Sequence, residues 1–118
     1  MANVVKTAYS KDRAKPIRHL ALFNYKDSLP ADTKNEIVES FTKLSNRMGF
    51  IRQAEWGSEL LLLGLNKGLD DAFLLTFDHP GDYRHYLRNP LTRYFYDKEV
   101  YPNTQAVLTI DYVANVEE

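Results

Sequence analysis

The stretch Asn66-Lys67-Gly68-Leu69-Asp70-Asp71-Ala72-Phe73-Leu74-Leu75-Thr76-Phe77-Asp78 decides how the rest of this chain is read. Asn66-Lys67-Gly68 carries turn chemistry, and a strand follows in which Phe73, Leu75 and Phe77 share one face. Ala72 and Leu74 occupy the other face, so the apolar/polar alternation of a half-solvated antiparallel strand is missing. Both faces ask for cover. The strand opens on two adjacent carboxylates, and a period of two puts Asp71 on the face of Phe73 and Leu75. A carboxylate at the mouth of an apolar cavity is suited to proton transfer, because burial raises its pKa. The plainer reading of Asp71, with Asp70 beside it, is a solvated acid in a turn.

Working outward, Ile17–Tyr25 reads as a first strand with His19, Ala21, Phe23 and Tyr25 on one face and Leu20 and Leu22 on the other. Ser28-Leu29-Pro30 supplies a turn and a proline suited to a first helical position. Ile37, Val38, Phe41, Leu44, Ser45 and Met48 then recur at spacings of three and four, opposite a wet side of Lys34, Glu36, Glu39, Lys43 and Arg47. Gly49 ends that helix. Phe50–Trp56 reads as a second strand, and Gly57–Gly68 connects it to the third. His79-Pro80-Gly81-Asp82 opens a second helix carrying Tyr83, Tyr86 and Leu87, interrupted at Asn89-Pro90. A continuation through Leu91, Tyr94, Phe95 and Val100 stops before Pro102, and Val107–Val113 is the last strand.

The order is β-α-β-β-α-β, the ferredoxin-like arrangement of the α+β class. Two helices cover only one face of a four-stranded sheet, yet the strands are apolar on both. Sheet-to-sheet packing against a second copy resolves the mismatch, so a homodimer is expected.

The 118 residues make one domain, large enough to bury roughly 65% of its unfolded surface. Residues 1–15 read as a polar arm, 16–114 as the domain and 115–118 as an acidic tail. Fifteen Lys/Arg against sixteen Asp/Glu give no basic field to attract nucleic acid. The absence of cysteine excludes disulfides and thiolate chemistry. The longest apolar run, Leu60–Leu63, is far short of the ~20 residues of a membrane helix. Met1–Lys15 lacks the apolar core of a secretory signal, which makes a cytoplasmic protein the default expectation.

Candidate chemistry is sparse. His19 is a general base or hydrogen-bond donor, or else a strand-end histidine satisfied by backbone. Tyr83, Tyr86, Tyr94 and Tyr96 cluster on the second helical region, where a phenol can orient a ligand or simply pack. His19 and Asp71 fall near the starts of antiparallel neighbours, at opposite ends of their ladder, so they are not read as a pair. The chain has no phosphate loop, dinucleotide fingerprint or nucleophile elbow, and His79 and His85 lack metal-ligand spacing. No cofactor or metal is therefore expected. Leu60–Leu65 is unusually apolar for a connection: a lid, a dimer contact or an extension of the second strand.

His19-Leu20, Glu55-Trp56-Gly57, the run from Asn66 through Phe77, Tyr86-Leu87, Asn89-Pro90 and Ile110-Asp111-Tyr112 together resemble the Dabb family of dimeric stress-responsive α/β barrels. The resemblance covers about residues 17–113. It implies a dimer of α+β barrels with a cavity between sheet and helices. The family includes polyketide cyclases of the olivetolic acid cyclase type as well as stable-protein-like members of stress or unknown role. In the cyclases a histidine of a His-Pro-x-His segment is the base, assisted by a tyrosine on the preceding turn. That segment is Asn89-Pro90-Leu91-Thr92 here, and threonine cannot serve as a base near neutral pH. Tyr86 matches the assisting tyrosine, His19 matches a cavity histidine, and Asp71 stands where relatives hold another.

The resemblance and the residues together lead to an expected function: a homodimer binding an apolar or aromatic small molecule. It would act as a cofactor-free cyclase, dehydratase or lyase of polyketide-like metabolism. Asp71 or His19 would handle the proton and Tyr86 would orient an oxygen, with Ala21, Phe23, Val38, Phe41, Phe73, Leu75, Thr92 and Phe95 as lining. The alternatives are a non-catalytic stress-responsive or structural oligomer, and a binding subunit of a larger enzyme.

Overall fold

Alternation along the first strand has the consequence expected of it: His19, Ala21, Phe23 and Tyr25 are all buried, while Leu20 and Leu22 are half-buried on the reverse face. The computed structural model describes residues 15–117, so the polar arm up to Ala14 and the last residue of the acidic tail lie outside the described residues. Strand β1 (Ile17–Tyr25) is followed by helix α1 (Ala31–Arg47), strands β2 (Ile51–Ser58) and β3 (Asp71–Phe77), and helices α2 (Pro80–Arg88) and α3 (Pro90–Tyr94). A π-helical turn (Phe95–Val100) and a 3-10 turn (Tyr101–Asn103) lead into strand β4 (Thr104–Val113). The sheet order is β2-β3-β1-β4 with every neighbour antiparallel, a ferredoxin-like α+β fold.

Local chemistry sets the boundaries. Pro30 is the N-cap of α1, in extended backbone, rather than its first helical residue. The helix stops at Arg47 with an extended Met48 as its C-cap, two residues before Gly49. Asn89 serves twice, ending α2 and capping α3 by accepting the Leu91 N–H at 2.9 Å. Its extended backbone (φ −69°, ψ 130°) is what a following proline imposes, which explains the break at Asn89-Pro90.

Beyond α3 the chain keeps turning where the sequence suggested a stop before Pro102. The π-helical turn brings Phe95 and Val100, five residues apart, to one buried face, as i→i+5 bonding allows and an α-helix does not. Ser40 of α1 donates to the Glu99 carboxylate, and the Glu99 carbonyl accepts from Asn103 Nδ2 at 2.7 Å. Pro102 sits within the 3-10 turn, and β4 begins at Thr104, three residues before the expected Val107.

The core lies between the inner face of the sheet and the helical layer. Phe23 stacks on Phe73 (ring centroids 4.7 Å) and Phe73 meets Phe41 of α1 edge-on at 4.9 Å. Ile37 and Leu44 of α1, Leu75 and Phe77 of β3, and Phe95 and Val100 complete it. Among the described residues the outer face has no helical cover: Leu108, Ile110 and Tyr112 of β4 stand exposed. The Leu60–Leu65 segment does not extend β2; it forms a loop closed at its base by the Glu59 N–H donating to the Asp70 carbonyl at 2.7 Å. Gly68 sits at φ +82° with Asn24 Nδ2 only 3.1 Å from where a Cβ would lie, so glycine is required there on both counts. Among the described residues no helix is long and apolar enough to cross a membrane.

Because Phe23 is fully buried and contacts rings from β3 and the helical layer, Phe23→Ala is expected to cost about 3–5 kcal/mol, measured by urea unfolding. A loss under about 1 kcal/mol would mean that the aromatic stack is not the centre of the core.

Candidate functional site

Three elements converge at the end of the sheet where β1 begins. His19 lies on the inner row of β1, paired with Leu75 of β3 on one side and Asp111 of β4 on the other. The β1–β4 register sets the two polar side chains together, with His19 Nδ1 2.5 Å from Asp111 Oδ1. Tyr83, on the first turn of α2, donates its hydroxyl to the second oxygen, Oδ2, at 2.6 Å, and its oxygen lies 3.5 Å from His19 Nδ1. The Tyr83 and Tyr86 rings stand 5.5 Å and 5.7 Å from the imidazole, and both also contact Phe77.

Burial grades outward across this cluster. The His19 side chain is 7% exposed and that of Asp111 40%, so an almost enclosed base is joined to a carboxylate open to solvent. Asp111 accepting from Nδ1–H fixes the neutral imidazole as the tautomer with a free lone pair on Nε2. The phenols around it resist ionisation. Burial, then the hydrogen bond to Asp111, raises the Tyr83 pKa well above the ordinary range. Burial also raises Tyr86, followed by the neighbouring Tyr96, to which it is hydrogen-bonded. Tyr96 is pushed up to about 12, chiefly by burial and against the hydrogen bond from Tyr86, which lowers it.

Asp71 occupies the opposite end. It pairs with Phe23 of β1, four residues from His19 and about 13 Å along the strand. Its Oδ2 accepts from the Tyr25 hydroxyl at 2.7 Å and its Oδ1 from Ser58 Oγ at 2.8 Å. Asp70 beside it accepts from the Tyr25 backbone N–H at 2.9 Å. The adjacent acids thus tie the start of β3 to the ends of β1 and β2. Burial, then the Asp71 hydrogen bond, raises the Tyr25 pKa far above its usual value.

Of the residues expected in a site, the structure therefore brings His19 and Tyr86 together and leaves Asp71 apart. Ala21, Phe23, Phe41, Phe73, Leu75 and Phe95 are buried and packed on one another, with Val38 half-buried at their edge. Thr92, on α3, is buried, and its Oγ1 has no hydrogen-bond partner among the described residues. An orphaned buried hydroxyl costs about 1–3 kcal/mol, so its retention inside the layer is notable. Among the described residues no three His, Asp or Glu side chains are grouped to hold a metal ion.

Sequence reasoning left Asp111 without a role and set Tyr83 apart only as one of four clustered phenols. The available signal was a charged residue at an inward parity of the last strand, between Ile110 and Tyr112. Only the β1–β4 register, invisible in the sequence, reveals which residue it faces.

Comparison with known proteins agrees with this architecture. A hydroxynitrile lyase from Passiflora edulis superposes with a TM-score of 0.80 at 21% identity, covering 89% of this chain and 98% of its own. A dimeric ferredoxin-like protein of unknown function from Thermobifida fusca gives 0.75 at 22% identity, covering 86% and 92%. A Dabb family protein with a ferredoxin-like fold from Mesorhizobium loti gives 0.73 at 19% identity, covering 86% and 99%. No curated protein sequence matches. The model of the stress-responsive A/B barrel domain matches residues 17–114, from the first residue of β1 to just past the end of β4, and the chain belongs to this Dabb family.

Proposed function

We propose that the protein is a homodimer that binds an apolar or aromatic small molecule and acts on it by acid–base chemistry of the lyase type. The observation that carries this reading is the His19–Asp111–Tyr83 cluster, an almost enclosed imidazole held by a carboxylate at 2.5 Å. Asp111 orients the ring and stabilises the imidazolium that forms when Nε2 takes a substrate proton. Tyr83 and Tyr86 flank the imidazole as neutral phenols whose oxygens can accept from a substrate hydroxyl and so orient it.

The similarity to a hydroxynitrile lyase supports the lyase branch over the cyclase branch, whose base position is Thr92 here. Cleavage of an α-hydroxynitrile needs only proton transfers. His19 takes the hydroxyl proton, the bond to the nitrile carbon breaks as the carbonyl forms, and the departing cyanide receives the proton back. Asp71 is read as a structural tie, given its distance from His19 and its two hydrogen bonds. A second reading, a non-catalytic structural oligomer, is favoured by the closely packed rings of the interior.

An aromatic α-hydroxynitrile is the probe that separates them. Cyanide release by the wild type is expected, with kcat lower by about 10²–10⁴ in His19→Ala and Asp111→Asn. Asp71→Asn is expected to stay within a few-fold of wild type once folded. Turnover unchanged in His19→Ala would remove the site assignment. Absence of both cleavage and binding of the probe would leave the structural reading standing.

Alkaline stability tests the phenols. Tyr25, Tyr83, Tyr86 and Tyr96 have folded pKa values above the unfolded value of about 10. Their contribution is fully present below that pH and is lost as pH rises through the folded values, about 12 for Tyr96. Tyrosinate absorbance from these rings is therefore expected to appear together with loss of near-UV circular dichroism above pH ~10. Ionisation of all tyrosines near pH 10 in a still-folded protein would contradict this environment.

A further inference from the structure

The polar hydrogens that meet His19 are already given away. Tyr83 donates its hydroxyl hydrogen to Asp111 Oδ2 at 2.6 Å. Tyr86 donates its own to Tyr96, whose ring packs on Phe23, Phe95 and Tyr101. A carboxylate has no hydrogen to give, so with Asp111 Oδ1 at 2.5 Å the hydrogen of the neutral ring is on Nδ1 and Nε2 is bare. Among the described residues, Asp111, Tyr83 and Tyr86 are the polar side chains that meet the imidazole. Together with Nε2 they offer a ligand lone pairs and no hydrogen.

The fold enforces this polarity. The β1–β4 register sets Asp111 beside His19, and the start of α2 at Pro80 brings Tyr83, on its first turn, to the same carboxylate. Each carboxylate oxygen thereby takes one hydrogen. The Tyr83 oxygen lies 3.5 Å from Nδ1, a separation that fits two donors turned to one acceptor and not to each other. Tyr86 follows three residues later on the same helix face. Burial raises the pKa of both phenols above the ordinary range, so each keeps the hydrogen it donates.

Resting on the site proposed above, we infer that it selects a hydrogen-bond donor, an apolar or aromatic alcohol, over the carbonyl compound or ether of the same shape. An alcohol gives its hydrogen to Nε2 or to a phenol oxygen. A carbonyl or ether oxygen meets only lone pairs and leaves these enclosed acceptors unpaired. The same polarity gives the chemistry a direction. Aldol-type ring closure needs a donor to polarise a ketone, and none of these groups supplies one. Cleavage of an α-hydroxynitrile starts from a hydroxyl and ends in a carbonyl. Once Nε2 has passed the proton to the departing cyanide, only acceptors face the carbonyl product, which weakens its binding and favours release.

Binding without turnover tests this. The probes are α-phenylethanol, its methyl ether and acetophenone, which share one skeleton and differ in the donor. By ligand-observed NMR titration the wild type is expected to bind the alcohol at least about fivefold more tightly than either of the others. The double variant Tyr83→Phe, Tyr86→Phe keeps both rings and removes both phenol oxygens. Confirmed as folded by circular dichroism, it is expected to lose at least about half of that preference. Acetophenone or the ether bound as tightly as the alcohol would overturn the inference alone. An undiminished preference in the double variant would place the selectivity at another site and overturn it as well. Binding of none of the three at millimolar concentration would overturn the ligand-binding reading together with it. Alcohol preference without cyanide release from the hydroxynitrile would uphold the inference and remove only the lyase chemistry.

Discussion

The packing of the inner row of β1 against the aromatic layer is the constraint on which the rest of the molecule depends. Ala21 and Phe23 are buried between β3 and β4 within the sheet and beneath α1 and the π-helical turn. Burial of such rings contributes about 1.5–3 kcal/mol each from removal of apolar surface, before edge-to-face contacts are added. Because β1 pairs with both β3 and β4, it fixes those two strands directly and β2 through β3. The same row carries His19 at one end and Tyr25 at the other, so the core sets the spacing of the two polar clusters that flank it.

Those clusters differ in kind although each joins a tyrosine hydroxyl to a carboxylate. At the Tyr25 end the bonds run between strand termini, Asp71 to Tyr25 and Ser58, and their effect is to close the sheet where the long loop leaves it. At the His19 end the carboxylate instead holds an imidazole, and the elements it joins, β1, β4 and α2, belong to both layers. Proton transfer suits a side chain that can both take and give a proton, and of the two clusters only the second holds an imidazole.

Much of this was legible in the sequence. Period-two alternation located β1 from Ile17 to Tyr25, and the Asn66-Lys67-Gly68 turn located the start of β3 closely. The β-α-β-β-α-β order foretold a four-stranded sheet with helices on one face only. What escaped had physical reasons. Phe95 and Val100 were legible as a helical continuation, but the π-helical backbone that brings them to one face was not, because its wider period leaves no separate mark in the sequence. Pro102 is compatible with the 3-10 turn it occupies, which made the expected stop too early. The site itself was half legible: His19 and Tyr86 stand out by type, but Asp111 acquires meaning only when β4 lies beside β1 in one particular register.

That register has a further consequence for β4. Its residues alternate between two duties, with Asp111 and Val107 turned inward and Leu108, Ile110 and Tyr112 outward. A slip of one residue would exchange the rows, carrying the carboxylate to the apolar side and withdrawing it from the imidazole. The irregularity between Asn24 and Tyr25, where the pairing steps from Ala106 to Thr104, lies at the start of β4. At the other end the Ala114 N–H donates to the Pro16 carbonyl at 2.8 Å. The two pin the strand from both ends, so a single hydrogen-bonding frame keeps the polar and the apolar row of β4 each on its proper side of the sheet.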